Sequence, residues 1–106
     1  MATEAGEKLD KGKLRLDLLL LQYFPRACMA VTSVSEGGAA KYCPFGWETV
    51  PDGYQRYKDA MGRHQLKKYI EGELDLESGE LHDAHIAWNA LACLELKLRE
   101  MEKEGT

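Results

Sequence analysis

Two segments with the spacing of an amphipathic α-helix occupy the second half of this chain and leave little room for another kind of structure. The first runs from about Tyr54 to Ile70, and the second runs from about Leu81 towards Glu100. Gly72 begins the turn between them and is expected to end the first helix. The predicted core positions of the first helix are Tyr57, Ala60, Met61, Leu66 and Ile70. The apolar stripe of the second helix is Ala84, Ala87, Trp88, Leu91, Leu94 and Leu98.

The first half of the chain predicts one more helix. It begins at Pro25, where the missing N–H costs nothing, weakens at Gly37 and Gly38, and closes near Tyr42. The segment 43–53 contains two Pro, two Gly and an Asp, which is typical of a loop. The loop also carries aromatic residues, which are expected to cover another part of the molecule.

The N-terminal region is expected to be less regular. Residues 1–10 are polar and mixed in charge, so we predict a disordered arm. Alternating residues from Lys11 onwards predict a short extended segment, after which Asp17 is expected to cap a helical turn. Since no long strand pattern occurs, we predict an all-α fold, a small helical bundle forming a single domain over residues 11–106.

Length and charge restrict the possible partners. A chain of 106 residues buries only about two-thirds of its unfolded surface, so a homo-oligomer is expected. A net charge of −4 argues against nucleic acid as a partner. No segment is long enough to span a membrane, no signal-peptide layout is present, and a cytoplasmic location is expected. Three widely spaced cysteines suggest neither disulfides nor structural zinc.

The turn between the last two helices is unusually acidic. Glu71, Glu73, Asp75 and Glu77 fall within seven residues and can together hold a hard divalent cation such as Mg²⁺. The alternative is a solvated acidic loop, which is the usual role of a run of charges.

Histidines follow the acidic turn directly. His82, His85 and Asn89 stand at i, i+3 and i+7, a spacing that places all three on one face of the last helix. Imidazoles beside carboxylates can bind a metal, accept a proton or hold a phosphate. A structural role is the alternative for such a pair, and His64 supplies a third imidazole from the preceding helix.

Two further groups have a functional and a structural interpretation. Arg56, Asp59 and Arg63 share one helical face, so an Arg fork fixed by Asp59 can grip phosphate oxygens, or the three can form an exposed ion-pair ladder. Aromatic residues around the loop can stack on a nucleobase or seal the end of the bundle. These aromatic residues are Tyr42, Phe45 and Trp47.

The order of these motifs resembles the small phage and bacterial proteins of the dATP/dGTP diphosphohydrolase N-terminal type. These proteins are similar to the all-α nucleoside triphosphate pyrophosphohydrolases of the MazG kind. The resemblance covers roughly residues 11–98. It rests on the blocks KGKLRLDLL from Lys11, GAAKY from Gly38, R-Y-x-D-A-x-x-R-H from Arg56, G-E-x-D-x-E-S-G from Gly72 and H-x-x-H-x-x-x-N from His82, together with Trp47.

The resemblance implies a nucleotide site between helices, at which Mg²⁺ or Mn²⁺ assists hydrolysis of a purine deoxynucleoside triphosphate to monophosphate and pyrophosphate. The implied metal ligands are Glu73, Asp75, His82 and His85. The implied catalytic residues are His82, His85 and Glu73. The implied nucleotide-binding residues are Lys41, Tyr42, Trp47, Arg63, His64, Ser78 and Asn89. Because the paired E-E-x-x-E and E-x-x-D motifs of MazG-type enzymes are missing, a nucleotide-sequestering protein of the same fold is the alternative.

Overall fold

The computed structural model describes residues 11–105, and the part it describes is helical with no β-strand. A π-helix spans Asp17–Gln22 and a 3₁₀ turn spans Gly46–Thr49. The long helices are α1 (Pro25–Lys41), α2 (Gly53–Glu71) and α3 (His82–Gly105). The predicted all-α fold is therefore confirmed. The predicted arm at residues 1–10 lies outside the described residues.

Helix α1 has the ends that the sequence predicts. It begins at Pro25, continues through Gly37 and Gly38, and ends at Lys41, next to the predicted end at Tyr42. Its C-terminal half is held against α3, where the Trp88 Nε1–H donates to Ser35 Oγ over 2.7 Å. Tertiary contacts of this kind outweigh the cost of glycine inside a helix, which is about 1 kcal/mol per residue.

The segment before α1 also differs from the prediction. Residues 11–13 form a turn rather than an extended segment, and the Leu-rich helical turn is a π-helix. Asp17 does not cap it. Leu16 occupies the N-cap position, and the Asp17 carboxylate instead accepts a hydrogen bond from Gln22 Nε2 over 2.6 Å.

Helices α2 and α3 form an antiparallel hairpin. Gly53 at the start of α2 lies next to Leu96, while Lys68 near the end of α2 pairs with Asp83 over 2.9 Å. Gly72 ends α2 as predicted, since its φ of 96° suits glycine and its N–H donates to the Lys68 carbonyl.

The loop that joins α2 to α3 is closed by backbone hydrogen bonds. The Asp75 N–H donates to the Glu80 carbonyl and the His82 N–H donates to the Glu73 carbonyl, both over 2.8 Å. The acidic turn is consequently a fixed, hairpin-like closure rather than an open loop. This closure places Asp75 in the interior between the helices, where the residue is only 5% exposed.

The interior of the single chain is small and half polar. The fully buried apolar residues of the described part are Ala84, Ala92 and Cys93, and the buried polar residues are Asp75, His82 and Asn89. The predicted core residues Leu66 and Ile70 are 61% and 73% exposed, so that prediction is wrong for the isolated chain. Tyr57, Ala60 and Met61 are half-buried. Within residues 11–105, no helix has the length and apolar content needed to cross a bilayer.

Candidate metal and nucleotide site

The histidine at the start of α3 is the centre of the site. His82 is completely buried, and both of its ring nitrogens are engaged. Its Nε2 lies 2.8 Å from Glu71 Oε1, and its Nδ1 lies 2.9 Å from His64 Nδ1. Glu71 is the last residue of α2, so this chain of contacts joins the two helices at the loop end of the hairpin.

For two neutral imidazoles, this chain of hydrogen bonds specifies one tautomer of each ring. An ionised Glu71 carboxylate only accepts, so Nε2 of His82 carries the proton that they share. His82 then accepts at Nδ1, and the proton in that contact belongs to His64 Nδ1. Nε2 of His64 is left with a free lone pair. Carboxylate–histidine pairs orient metal-binding histidines in the same way.

The electrostatics of His64 support a neutral ring. Burial and the neighbouring His85 lower the pKa of His64, against the opposing pull of Asp75. A neutral imidazole is the form that binds a metal or accepts a proton.

Asp75 is held as an anion on the other side of the cluster. Ser78 Oγ donates to Asp75 Oδ2 over 2.8 Å, and the Glu77 N–H donates to Oδ1 over 3.3 Å. Burial opposes ionisation of Asp75, but these two hydrogen bonds and the nearby histidines outweigh it, so the pKa of Asp75 lies below its ordinary value. His85 Nε2 completes the group at 2.7 Å from Ser78 Oγ and 3.4 Å from Asp75 Oδ2.

Two overlapping groups of three side chains can hold a cation. His64, Asp75 and His85 form the first group, and Glu71, Asp75 and His82 form the second, with all ligand atoms of each group within 4.8 Å of one another. The rings of His64 and His85 lie parallel with centroids 4.2 Å apart, which keeps both imidazoles on the same side. Both ring nitrogens of His82 are hydrogen-bonded, whereas His64 and His85 each use one ring nitrogen in this way, so the first group fits a cation better.

The donor set of that first group has a definite chemical preference. Two imidazole nitrogens and one carboxylate suit a divalent transition metal, and three protein ligands leave positions open for water or substrate. The site therefore fits a catalytic cation better than a closed structural one.

Glu71, rather than Glu73, has the side chain that contacts a histidine of the site. The Glu73 side chain is exposed, lies 3.9 Å from Lys68 Nζ, and belongs to neither group. It serves the site through its carbonyl, which accepts from the His82 N–H. The sequence interpretation names Glu71 only as one of four carboxylates of the acidic turn and gives it no contact with a histidine. The spacing contained the signal, because His64 and Glu71 stand seven residues apart and share one face of α2.

The structure brings some of the expected phosphate-binding residues to the site and leaves others apart. Arg63 precedes His64 on α2 but is exposed, and no ion pair joins it to Asp59 among residues 11–105. Asp59 accepts from Gln55 instead, so the structure does not show Asp59 fixing an arginine, and phosphate binding by Arg63 stays a prediction. Lys67 lies close enough to His64 to lower its pKa further, and it is a cation that the sequence interpretation overlooked.

The aromatic residues separate into two groups. Trp47 joins Tyr57 and Trp88, with ring centroids 5.5 to 6.2 Å apart, and the Tyr57 hydroxyl donates to the Trp47 carbonyl. Tyr42 and Phe45 remain 71% and 74% exposed and do not join this cluster. Lys41 lies over the ring of Tyr42, at 5.2 Å from its centroid. The expected three-residue wall is therefore replaced by a cluster between the loop and the hairpin.

Asn89 supports the site from inside α3. It is 5% exposed, and its Nδ2 donates to the His85 carbonyl over 2.8 Å. In this structure Asn89 fixes the turn that carries His85, and it lies where the predicted polar face of α3 meets α2.

Fold and site together define a small all-α domain in which a helical hairpin holds a buried histidine–carboxylate cluster suited to a divalent cation. The chain belongs to the family described as dATP/dGTP diphosphohydrolase, N-terminal, whose model matches residues 3–105. No curated protein and no solved structure matches it. The family match confirms the resemblance seen in the motifs and indicates a nucleotide hydrolase. The description names an N-terminal part, and the likeness to MazG-type enzymes stays a prediction.

Proposed function

We propose that this domain binds a purine deoxynucleoside triphosphate, dATP or dGTP, and hydrolyses it to the monophosphate and pyrophosphate with a divalent cation. The observation that carries the proposal is the convergence of His64, Asp75 and His85 in a chain of the diphosphohydrolase family. A bound cation would lower the pKa of a water molecule and offset the charge that develops on the phosphate oxygens.

The donor set bears on which of the two expected cations is used. Mg²⁺ prefers oxygen ligands throughout, whereas Mn²⁺ also accepts imidazole nitrogen. Two of the three side chains in the group are histidines, so Mn²⁺ is the better fit. Mg²⁺ would have to rely on Asp75, on water and on the phosphates themselves.

The surrounding side chains position these ligands. Glu71 orients His82, and His82 orients the free Nε2 of His64. Ser78 holds the Asp75 carboxylate in place. Groups held in this way spend little free energy on reorganisation when a substrate binds.

A nucleotide can extend from this cluster towards the aromatic residues. Trp88 lies one turn beyond His85 on α3, and Tyr57 lies two turns from His64 on α2, about 5 and 10 Å along the helix axes. The phosphates would lie at the histidines, near Lys67 and Arg63, and the base would lie against Trp47 or Trp88. Lys41 and Tyr42 lie at the end of α1 and supply further contacts in this arrangement.

A nucleotide-sequestering protein is the second candidate, and one observation favours it. The first ligand group contains a single carboxylate, Asp75, among residues 11–105. One carboxylate compensates little of the charge of two cations, so multi-metal catalysis of the carboxylate-rich kind has no place here. Binding of a metal–nucleotide complex without turnover remains compatible with the same residues.

The deciding experiment is incubation with each dNTP and NTP in the presence of Mn²⁺, Mg²⁺ or EDTA, followed by chromatography of the products. The proposal expects monophosphate and pyrophosphate from a purine dNTP, more with Mn²⁺ than with Mg²⁺ and none with EDTA. Thermal stability is followed in the same samples. A raised melting temperature with the nucleotide recovered intact would establish sequestration, and no response to any nucleotide would contradict both candidates.

A further inference from the structure

Helix α1 contacts the α2–α3 hairpin without fully burying any of its own residues. Among the described residues, two side-chain hydrogen bonds join α1 to the hairpin. Trp88 Nε1 donates to Ser35 Oγ, and Ser33 Oγ donates to the Glu80 carboxylate. Glu80 lies in the loop that joins α2 to α3, the loop that also carries Asp75. The second bond therefore connects α1 to the part of the chain that supplies a candidate metal ligand.

Glu80 lies opposite Asp75 in this loop and is bonded to it through the backbone. The Asp75 N–H donates to the Glu80 carbonyl over 2.8 Å, and the Glu80 N–H donates to Ser78 Oγ over 3.2 Å. Ser78 Oγ in turn donates to Asp75 Oδ2 over 2.8 Å. The main chain of Glu80 thus holds both the backbone and, through Ser78, the carboxylate of Asp75. A displacement of Glu80 would reorient that carboxylate.

The side chain of Glu80 has a contact of its own, separate from those of its main chain. Within the described part of the chain it forms no ion pair, and Ser33 is its hydrogen-bond donor. It also belongs to neither group of side chains that can hold a cation. A hydrogen bond to an ionised carboxylate is about twice as strong as one between neutral groups. The Glu80 carboxylate is therefore well suited to anchor the loop to α1.

We propose that Glu80 is a positioning residue for the metal ligands. Its side chain anchors the loop to α1 through Ser33, and this anchor holds Asp75 in the geometry that binds the cation. The inference rests on the proposed function, because it concerns a cation held by His64, Asp75 and His85. Residues that orient metal ligands through hydrogen bonds typically change metal affinity by about tenfold or more when they are removed.

The first test measures Mn²⁺ affinity by titration calorimetry without nucleotide. Glu80→Ala should bind Mn²⁺ about tenfold more weakly than the wild type, at the lower end of the usual range, because Glu80 acts through the backbone of Asp75. Glu80→Gln should stay within about twofold, because its Oε1 still accepts from Ser33. Wild-type affinity in Glu80→Ala would overturn the proposal. An equal loss in Glu80→Gln would also overturn it, since the charge of Glu80 would then act on the cation directly.

The two serines of α1 provide a matched pair of variants. Ser33→Ala removes the anchor from its other side and should weaken Mn²⁺ binding as Glu80→Ala does. Ser35→Ala removes the bond of α1 to Trp88 instead and should change the affinity less than about twofold. The double variant S33A/E80A should bind no more weakly than Glu80→Ala, because the two side chains act as one unit. Equal losses in the two serine variants, or additive losses in the double variant, would contradict the assignment.

Hydrogen exchange of backbone amides in EDTA tests the anchor without a metal. Glu80→Ala and Ser33→Ala should exchange the Asp75 amide about tenfold faster or more, while Glu80→Gln retains the wild-type rate. The His82 amide, which donates to the Glu73 carbonyl, is the internal reference. An unchanged Asp75 rate in Ser33→Ala would overturn the proposal even if Glu80→Ala fails to fold, because Ser33 is exposed and alanine favours a helix.

The outcomes also separate this inference from the proposed function. Protein that binds Mn²⁺ with the expected differences between variants, but hydrolyses no nucleotide, would contradict the proposed hydrolysis and leave the role of Glu80 intact. Wild-type protein that binds no Mn²⁺ would overturn both. Hydrolysis with equal Mn²⁺ affinity in wild type, Glu80→Ala and Ser33→Ala would support the hydrolysis and overturn the role of Glu80.

Discussion

The two faces of α3 invert the usual arrangement of a helix in a small protein. Its inner face, against α2, buries His82 and Asn89, while its outer face exposes Leu94 and Leu98 by about half. An amphipathic helix normally does the reverse. The difference indicates that the inner face of α3 is shaped as a site, while apolar side chains remain on its outer face.

Burying polar groups is tolerated here because every one is satisfied. Among the described residues, no buried side-chain nitrogen or oxygen lacks a hydrogen-bond partner. A satisfied network orients its members precisely, but removing one member leaves another unpaired in a poorly solvated position. Substitutions on the inner face should therefore be costly for both stability and activity. Exposed positions nearby should tolerate change.

The largest effect is expected from His82→Leu. The substitution leaves Glu71 and His64 without their central partner, so we expect unfolding to become easier by about 2–4 kcal/mol and turnover to fall below detection. Urea denaturation measures the first effect and product chromatography the second. Asp83→Asn is the control on the neighbouring residue, because it alters only an exposed pair with Lys68. Equal losses in the two variants would remove His82 from the centre of the site.

Asp75→Asn tests the ligand itself. The substitution keeps the shape but removes the anion, so we expect metal-dependent turnover to fall by a hundredfold or more, which is on the order of 3 kcal/mol of transition-state stabilisation. Stability should decline by about 1–2 kcal/mol, because Asp75 is buried and accepts from Ser78 and Glu77. Mn²⁺ binding is followed by titration calorimetry. Wild-type turnover in this variant would exclude Asp75 as a ligand.

A pair of matched variants distinguishes the two glutamates. Glu71→Gln removes the carboxylate that orients His82. A loss of activity of about tenfold is expected for a residue that orients metal ligands through hydrogen bonds without binding the metal itself. Glu73→Gln should change activity less than about twofold, because its side chain lies on the surface beside Lys68. Steady-state kinetics with saturating Mn²⁺ measures both. The reverse order would restore the assignment made from the sequence.

The sequence predicted the helices well because their signals are local. Pro25, Gly72 and the apolar periodicity each act within one or two turns, and the ends of α2 fell within a residue or two of their predicted positions. Local rules failed at Leu66 and Ile70, which are 61% and 73% exposed. The absence of a covering element decides that outcome, and it cannot be read from neighbouring residues.

The site was predicted in its composition but not in its arrangement. Asp75, His82, His85 and Ser78 were recognised from their motif, and the structure brings all four together. Which acidic side chain turns inward depends on how the loop closes, and that closure depends on backbone hydrogen bonds to Glu80 and His82. Glu71 ends α2 instead, and its seven-residue spacing from His64 was a signal in the sequence that the interpretation did not use.

The smallest expected effect is a pH dependence that comes from His64, on the side of α2 that faces α3. Burial and His85 lower the pKa of His64 in the folded state, so the unfolded chain binds a proton at a higher pH than the folded chain does. The stability contributed by neutral His64 is present above its unfolded pKa of about 6.5 and is lost as the pH falls through the folded value. Asp75, whose folded pKa is also lowered, adds a second loss at more acidic pH.

Urea denaturation in EDTA between pH 7.5 and 5 measures this effect without competition from metal. The wild-type free energy of unfolding should decline as the pH falls, by at most about 1.4 kcal/mol per pH unit, the limit for one proton. The groups facing His64 are Asp75, His82, His85 and Lys67, so His64→Gln leaves the rest of the cluster in place. In this variant the free energy of unfolding should decline less as the pH falls. If the free energy of unfolding of His64→Gln depends on pH as steeply as that of the wild type, His64 does not cause the acid sensitivity. Another titratable group of the cluster would then be responsible.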